Sequence, residues 1–319
     1  AMPDDGYHGP EIIKLAQELK EEIGDLYVNE PESHLEDFKK FGGDKLLDAI
    51  KKDLHDFRVD QDVYTSEKAI RNRGDVEKVL EQLRPFCYEQ EGALWLDTTK
   101  DGDDKDRVLV KTDGNYTYLL PDIAYHNDKF NRGFDLLIDM FGADHHGYIA
   151  RLKSSQKDLG HNPEALNVCL VQMVRLFKNG EEFKMSKRTG NAITMKELID
   201  EVGVDSVRYF FVSRSGTSHL DFDIDLAKTL GSENPVYYAQ YTHARLCGIM
   251  KNASSFYPID YSCSQLTSES EKDLLILLKD YTNVIKNATL ENEPYKVTNY
   301  IHTLAQTINE FYTKCRVID

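Results

Sequence analysis

The sequence predicts an α/β fold built on a parallel sheet and followed by an all-helical region. Two long apolar runs, at residues 134–141 and 167–177, read as strands buried on both faces, and a helix follows each. Alternation of such strands with helices is typical of a parallel sheet with crossover helices. After Asp225, apolar residues recur every three or four positions, which predicts helices in the rest of the sequence.

The first 117 residues precede this pattern and are more varied. Residues 10–23 read as a helix because Pro10 favours a helix start and Gly24 a stop, and a more charged helical stretch covers 35–57. From 58 to 117, β-branched and aromatic runs broken by Gly and Asp predict strands joined by turns, with a helix near 74–83. "VDQDVYTS" at 59–66 and "YTYLL" at 116–120 are two of these predicted strands.

Short sequence motifs on both sides predict the boundaries of one loop. Asn179-Gly180 predicts a hairpin directly after the second apolar run. Thr194 with Glu197 three residues later is a capping box, which predicts a helix that ends at Gly203. The stretch "FKMSKRTG" at 183–190 therefore reads as a loop between a hairpin and a capped helix, beside the carboxyl end of a buried strand.

The helical region has equally clear boundaries. Asn234-Pro235 forms an N-cap and first-position pair for a helix over 235–253. Ser, Tyr and Asp dominate 254–270, which reads as a loop, and two more helices follow at 271–290 and 294–314.

Composition limits the function classes. The formal net charge of −16 argues against binding nucleic acid through bulk charge, although a few basic patches remain compatible with it. The five widely spaced cysteines favour neither a disulfide framework nor a zinc site. No apolar run is long enough to cross a bilayer and the N-terminal residues do not resemble a signal peptide, so we expect a soluble cytoplasmic protein.

The basic loop has two interpretations on its residues alone. Lys184 and Lys187 lie three residues apart, and two such cations suit a polyphosphate whose charge grows as pyrophosphate leaves. A solvated surface loop explains the same residues, and the stretch is not a Walker A motif.

Lys184-Met185-Ser186-Lys187 resembles the KMSKS-type signature of class I aminoacyl-tRNA synthetases, and its surroundings resemble the arginyl enzyme in its bacterial form. The resemblance is carried, in the expected order, by "TYLLPDIAYHNDKFNRGFD" (117–135), "GADHHGYIARLK" (142–153), "VQMVRL" (171–176), "KMSKRTGN" (184–191) and "NPVYYAQYTHAR" (234–245). It implies a Rossmann-like, nucleotide-binding catalytic core followed by a helical domain of the anticodon-binding type. We expect the boundaries to be 1–225, with an inserted α/β region at about 25–115 and the loop at 184–190, and 226–319.

The resemblance implies arginine–tRNA ligase activity with ATP as co-substrate and Mg²⁺ as its companion, and no metal bound by the protein itself. Lys184 and Lys187 take the catalytic role of stabilising the leaving pyrophosphate. The residues implied to bind ATP are Met173, Val174, Lys184, Met185, Ser186 and Lys187. For Met173 and Val174, an ordinary place in a core strand is the other interpretation.

The same resemblance assigns the arginine-binding residues. Asp122 is implied to hold the guanidinium, which a carboxylate binds best through two parallel hydrogen bonds, and Tyr118 to line the same pocket. Asp144 and His145 are implied to contact the substrate. From the residues alone, Asp122 and Asp144 also read as helix caps and Tyr118 as a core aromatic. Neighbouring histidines at 145 and 146 invite a metal site, but no third ligand motif accompanies them.

For the helical region the resemblance implies contacts to tRNA. The residues concerned are Tyr237, Gln240, Tyr241 and Arg245, since aromatic and Arg side chains stack on unpaired bases. A helical aromatic stripe equally indicates a packing face.

One expected motif is missing. None of the ten histidines forms His-x-Gly-His, which this family carries early in its nucleotide-binding fold. We therefore expect a fragment with little activity by itself, from a monomeric ligase whose partners are L-arginine, ATP and tRNA(Arg), with no membrane. A truncated paralogue that binds tRNA or arginine without catalysis is the alternative, and an adenylating enzyme for another amino acid is a third.

Overall fold

The computed structural model describes residues 9–183, 193–253 and 264–317. The chain divides into two compact units. Unit 1 comprises the described parts of Ala1–Asp62, Leu176–Phe210 and Asp223–Tyr238, and unit 2 those of Val63–Arg175, Phe211–Phe222 and Ala239–Asp319. The predicted loop at 184–190 lies outside the described residues.

Helices dominate the described ranges. They are α1 (Pro10–Ile23), α2 (Leu35–Asp56), α3 (Glu67–Asn72), α4 (Asp75–Leu83), α5 (Leu119–Asn131), α6 (Tyr148–Asp158), α7 (Met195–Val202), α8 (Val204–Phe211), α9 (Ile224–Lys228), α10 (Pro235–Asn252), α11 (Glu269–Glu291) and α12 (Tyr295–Lys314). The strands are β1 (Cys87–Gln90), β2 (Ala93–Leu96), β3 (Arg107–Val110), β4 (Leu137–Gly142), β5 (Leu166–Val171), β6 (Val174–Lys178), β7 (Glu181–Phe183) and β8 (Leu220–Asp223). Among the described residues, no helix is both long and apolar enough to span a membrane.

Unit 1 confirms the local signals. Asn179 and Gly180, with φ of 55° and 76°, form the turn between the antiparallel strands β6 and β7. Two successive residues with positive φ are what a tight hairpin of matching twist requires. The Thr194 side chain accepts from the Glu197 backbone N–H while the Glu197 carboxylate accepts from Thr194, so the predicted capping box is present at α7. That helix ends before Gly203, as predicted.

Unit 2 contains the larger core. β4 and β5 form the parallel pair, in register from Leu137 opposite Leu166 to Gly142 opposite Val171, and β1, β2 and β3 form an antiparallel sheet. α5 packs against α3, α4 and α6, and its Leu120 and Ile123 are fully buried. The predicted parallel strand pair is therefore confirmed, and α5 is the helix around which this core is built.

Two predicted strands are wrong. Residues 59–66 form no strand, because Ser66 instead caps the unpredicted helix α3 by accepting from the Ala69 N–H. In 116–120, Tyr116 makes only an isolated bridge to Val110, and the leucines that follow begin α5. β-branched and aromatic residues favour strands only where a neighbouring strand is available, and these stretches lack one.

The run at 167–177 is divided into two strands rather than one. β5 ends at Val171 and β6 begins at Val174. Between them the Gln172 N–H donates to the Gly216 carbonyl at 2.8 Å, so the chain leaves the parallel pair there and then enters the hairpin with β7. The break therefore depends on a distant backbone contact, which the local pattern of apolar residues does not contain.

The helical end follows the prediction closely. Asn234 Oδ1 accepts from the Val236 N–H at 3.0 Å, which confirms the N-cap of α10. α11 begins two residues earlier than predicted, because Ser268 and Glu271 form a second capping box. α12 begins at Tyr295, directly after Pro294.

Candidate active site

A cavity of about 580 Å³ opens at the carboxyl end of β4, within unit 2. Ligands of open parallel sheets bind where strands end and helices begin, which is where this cavity lies. Its lining residues are Thr65, Glu67, Ile70, Tyr118, Pro121, Asp122, Tyr125, Phe141, His145 and Tyr148. The cavity is thus walled by aromatic side chains and contains carboxylates.

Asp122 is the carboxylate that the first turn of α5 presents to the cavity. Pro121 in the same turn needs no backbone donor there, and an acidic side chain in a first turn is stabilised by the helix dipole. The Asp122 side chain is about one-third exposed, at 31%. A carboxylate held in this way keeps part of its surface for a ligand while its backbone is fixed by the helix.

Three tyrosines and Phe141 form the walls around this carboxylate. Tyr118 directly precedes α5 and is 91% exposed, so it lines the cavity without packing in the core. Tyr148 is the first residue of α6, and burial together with the negative charge of Asp122 raises its pKa to about 12. At neutral pH the Tyr148 hydroxyl is therefore a neutral hydrogen-bond donor towards Asp122.

The arrangement suits a planar organic cation. A guanidinium binds a carboxylate through parallel N–H donors and stacks on aromatic faces, and this cavity provides both partners. Among the described residues, no Arg or Lys side chain forms an ion pair with Asp122. The carboxylate thus retains acceptor positions for a cation that comes from outside the chain.

Beneath Asp122 lies a charged cluster that the sequence interpretation missed. His126, on the next turn of α5, is 2% exposed, and its Nε2 lies 2.5 Å from Asp139 Oδ2. Asp139 also accepts from Lys129 at 2.8 Å. One signal was available: Asp139 occupies an inward position of the apolar strand β4, and a buried carboxylate requires a partner.

The two members of this buried pair shift each other's pKa. Burial opposes the charge on His126, but its hydrogen bonds to Asp122 and Asp139 outweigh burial and raise its pKa to about 9. For Asp139, hydrogen bonds from His126 and Lys129 outweigh burial and lower its pKa to about 2. Both groups are therefore charged at neutral pH.

The other residues implied to bind arginine are placed differently. His145 lines the cavity, and its contact with the substrate stays a prediction. Asp144 lies outside the cavity lining, with its side chain 82% exposed and 3.6 Å from the His145 ring. The structure thus brings Tyr118, Asp122 and His145 together, while a contact from Asp144 to the substrate stays a prediction.

The residues implied to bind ATP are only partly within the described ranges. Met173 lies between β5 and β6 with 72% of its surface exposed, and Val174 is the first residue of β6. They stand at the end of the parallel strand β5, although not inside one continuous strand. Lys184, Met185, Ser186 and Lys187 lie outside the described residues, so their role stays a prediction.

The residues implied to bind tRNA lie on α10. The Arg245 guanidinium lies 4.8 Å from the Tyr241 ring centroid and 4.6 Å from that of Tyr312, and its Nη1 donates to Asn309 Oδ1. These contacts favour the packing role that the aromatic stripe allowed as an alternative. Tyr237 and Gln240 also belong to α10, and their part in RNA binding stays a prediction.

In the part of the chain that the structure describes, no group of three or more His, Cys, Asp or Glu side chains is placed to hold a metal ion. This includes His145 and Asp144, which approach each other without a third partner. The ionisable side chains in the cavity lining are those of Glu67, Asp122, His145 and the three tyrosines.

Comparison with protein families agrees with this geometry. A family model described as "tRNA synthetases class I (R), catalytic domain" matches residues 13–214, and one described as "DALR anticodon binding domain" matches 239–319. The chain is 50% identical over 324 residues to the arginine–tRNA ligase of Bacillus subtilis and 50% identical over 325 residues to that of Geobacillus kaustophilus. Each comparison covers the whole chain but 58% of the relative.

Solved structures give the same result. A crystal structure assigned to an arginyl-tRNA synthetase from Campylobacter jejuni matches with a TM-score of 0.89 at 36% identity, over 100% of this chain and 70% of that one. The Thermus thermophilus arginyl-tRNA synthetase matches with a TM-score of 0.75 at 20% identity, over 97% of this chain and 60% of that one, which shows a shared fold.

These matches cover most of the chain with one consistent assignment. The chain spans 58% of the length of the curated relatives it matches. The predicted fold class, a class I catalytic core followed by an anticodon-binding helical domain, is confirmed, while the domain boundaries at 225 and 226 stay predictions. The chain belongs to the class I arginyl-tRNA synthetase family.

Proposed function

We propose that the protein is an arginine–tRNA ligase, which activates L-arginine with ATP and transfers it to tRNA(Arg). The observation that carries the proposal is the Asp122 carboxylate at the end of β4, surrounded by aromatic rings and without an Arg or Lys partner among the described residues. A guanidinium is always charged at physiological pH, so a fixed carboxylate between aromatic faces selects it from the neutral and smaller amino acids.

The reaction has two steps. The arginine carboxylate attacks the α-phosphorus of ATP and pyrophosphate leaves, and a ribose hydroxyl at the tRNA end then attacks the arginyl carbonyl and releases AMP. Asp122 and Tyr118 would hold the guanidinium, with His145 and Asp144 nearer the reacting carboxylate. Fixing the side chain in this way positions the carboxylate for attack, and positioning contributes a large part of the rate enhancement in such reactions.

The residues in and next to the loop at 184–190 would bind the adenine and the phosphates of ATP. Met173 and Val174, at the end of β5, would receive the adenine, mainly through backbone groups. Lys184 and Lys187 would stabilise the charge that develops on the leaving pyrophosphate, with Met185 and Ser186 completing the loop and Mg²⁺ bound to the phosphates.

The remaining assignments follow from the family. The helices α10 to α12 would contribute to tRNA binding, with Tyr237, Gln240, Tyr241 and Arg245 as the residues proposed on α10. We propose a monomeric, cytoplasmic enzyme. A binding module without catalytic activity is not favoured, because the relatives at about half identity are ligases by name.

ATP–pyrophosphate exchange by the full-length protein tests the proposal. Exchange is measured in the presence of tRNA with L-arginine, L-lysine or L-citrulline as the amino acid. Citrulline is the sharpest control, because its neutral urea group has nearly the shape of the guanidinium. We expect exchange with arginine and at least 100-fold less with citrulline, since an unpaired buried charge strongly penalises the neutral analogue. Equal exchange with arginine and citrulline, or none with arginine, would contradict the proposal.

A further inference from the structure

We propose that His126 is a positioning residue for arginine recognition, a buried imidazolium that fixes the backbone and carboxylate of Asp122 from behind the cavity. The inference rests on the proposed function, because it concerns the same cavity. It adds a residue that touches no substrate and acts through Asp122.

The hydrogen bonds of the ring define its charge. Nδ1 lies 2.8 Å from the main-chain carbonyl oxygen of Asp122, and Nε2 lies 2.5 Å from Asp139 Oδ2. A carbonyl oxygen and a carboxylate oxygen are both acceptors, so both ring nitrogens must donate. Only the protonated imidazolium has two N–H donors.

The same residue, Asp122, is held at two points. Its carbonyl oxygen accepts from Nδ1, and its Oδ1 lies 3.4 Å from that nitrogen. The Asp122 carboxylate thus lies between the imidazolium behind it and the cavity that it lines.

The charges around the ring come from two elements. Asp122 and Lys129 belong to α5, and Asp139 belongs to β4. Lys129 donates to Asp139 Oδ1, so the carboxylate of Asp139 is shared between two cations. The ring of Tyr125, also on α5, has its centroid 6.0 Å from that of His126. From α6, Tyr148 acts on Asp122 rather than on the ring, and Gln156 donates to the Ile123 carbonyl.

The charge of the His126 ring affects how firmly Asp122 is held. His126 is 2% exposed, and burial in low-dielectric surroundings strengthens each interaction that the imidazolium makes. If the ring lost its proton, one of its two acceptors would lose its donor, and the first turn of α5 would lose its connection to β4. Asp122 would still line the cavity, but its carboxylate would no longer be held in one orientation.

Substitution of His126 in the full-length protein provides the first test. His126→Gln removes the charge and keeps a side chain that can donate one hydrogen bond. Its matched control is His161→Gln, because the His161 ring also stacks in unit 2, on Phe130, and its Nε2 lies 2.7 Å from Asn127 Oδ1 of α5. We expect His126→Gln to raise the KM for arginine roughly 10- to 100-fold, as small misplacements do, with the KM for ATP unchanged.

The pH profile separates charge from packing. The ratio of arginine affinities of the wild type and His126→Gln is measured from pH 6 to 10.5, so that the titration of arginine itself cancels. We expect a large ratio at neutral pH that falls towards one above the pKa of the ring. Asp139→Asn leaves an acceptor but removes the negative charge, and should move that fall to lower pH. An unchanged profile in Asp139→Asn would overturn the proposal.

The two proposals fail in different ways. If the wild type does not prefer arginine over citrulline, the proposed function is wrong whatever His126 does. If the wild type is selective and His126→Gln behaves as His161→Gln does, the function stands and the positioning role of His126 is wrong. If His126→Gln does not fold, as read by circular dichroism, the deciding measurement is the pH dependence of arginine affinity in Asp139→Asn relative to the wild type, which should weaken at lower pH than in the wild type.

Discussion

Two places in unit 2 combine tyrosine rings with a side chain that accepts hydrogen bonds, and they differ in the charge of that side chain. Arg245 lies between the rings of Tyr241 and Tyr312, and its partner is the neutral amide of Asn309. The cavity at the end of β4 has tyrosines as well, but there the partner is the carboxylate of Asp122. The first place holds a guanidinium of the chain itself, and the second has a carboxylate that would bind one from outside in the function proposed above.

The difference shows how the protein separates structure from recognition. A covalently attached guanidinium needs no charge to stay in place, and a neutral amide avoids the cost of burying a carboxylate with it. A diffusible ligand loses translational freedom on binding, so its site needs a stronger, charge-assisted partner. The comparison therefore yields predictions that separate ligand affinity from folding stability.

The largest effect is expected for Asp122→Asn. The change is nearly isosteric but removes the charge, so we expect arginine affinity in the full-length protein to fall by about 2–4 kcal/mol, roughly 30- to 1,000-fold. Isothermal titration calorimetry with arginine measures it. Asp128→Asn is the control on the same helix, because Asp128 pairs with Arg73 and Arg132 instead of facing the cavity. If Asp122→Asn and Asp128→Asn lost the same arginine affinity, Asp122 would not be part of the arginine site.

The second effect concerns stability and pH. The pKa of His126 is raised from 6.5 to about 9 in the folded protein, so its stabilisation is complete below pH 6.5 and is lost as the pH rises through 9. The difference in unfolding free energy between the wild type and His126→Gln should shrink by roughly 3 kcal/mol between pH 6 and 10. Urea denaturation at a series of pH values measures it. A difference that does not depend on pH would mean that the ring is neutral.

The third effect tests the internal guanidinium. Arg245→Lys keeps the charge but loses the planar group that both rings contact, and should lower the unfolding free energy by about 1–2 kcal/mol without changing arginine affinity. The control is Arg84→Lys, since Arg84 is an exposed arginine with a single partner, Glu81. If both variants lose the same stability in urea denaturation, the two rings contribute nothing specific.

The smallest effect is expected for Tyr148→Phe. Removal of the hydroxyl beside Asp122 should weaken arginine binding by about 1 kcal/mol, the usual contribution of one hydrogen bond. Tyr88→Phe is the control, because its hydroxyl donates to Asp106 at 2.8 Å, away from the cavity. Calorimetric titration of both variants decides the matter, and a loss in Tyr88→Phe alone would contradict the prediction.

Prediction from the sequence succeeded where a few adjacent residues decide the structure. The Asn179-Gly180 turn and the Thr194 capping box each depend on at most four consecutive residues, and both are present. The predicted strand at 59–66 was wrong because β-branched and aromatic residues form a strand only beside a neighbouring strand, and the described structure has none there. Whether a neighbour is available is a property of the tertiary structure, which the local pattern does not contain.

The site shows the same division. The apolar run predicted the strand end, and the resemblance to the family implied Asp122 and Tyr118. The structure places both residues in the lining of one cavity at that strand end. The contact between His126 and Asp139 was not found, because those residues lie 13 positions apart and meet only when α5 packs on β4. The break after Val171 was missed for a related reason, since it depends on a contact between Gln172 and Gly216, which lie 44 positions apart.

The carbonyl group of Asp122 gives the cavity a spectroscopic reporter. Within α5 this oxygen is placed to accept the backbone N–H of residue 126, and it also accepts from the imidazolium of the same residue. A carbonyl with two donors absorbs at lower infrared frequency than its helical neighbours. Isotopic labelling of that single carbonyl would allow ligand arrival at the carboxylate to be followed in the main chain, without a dye and without altering any side chain.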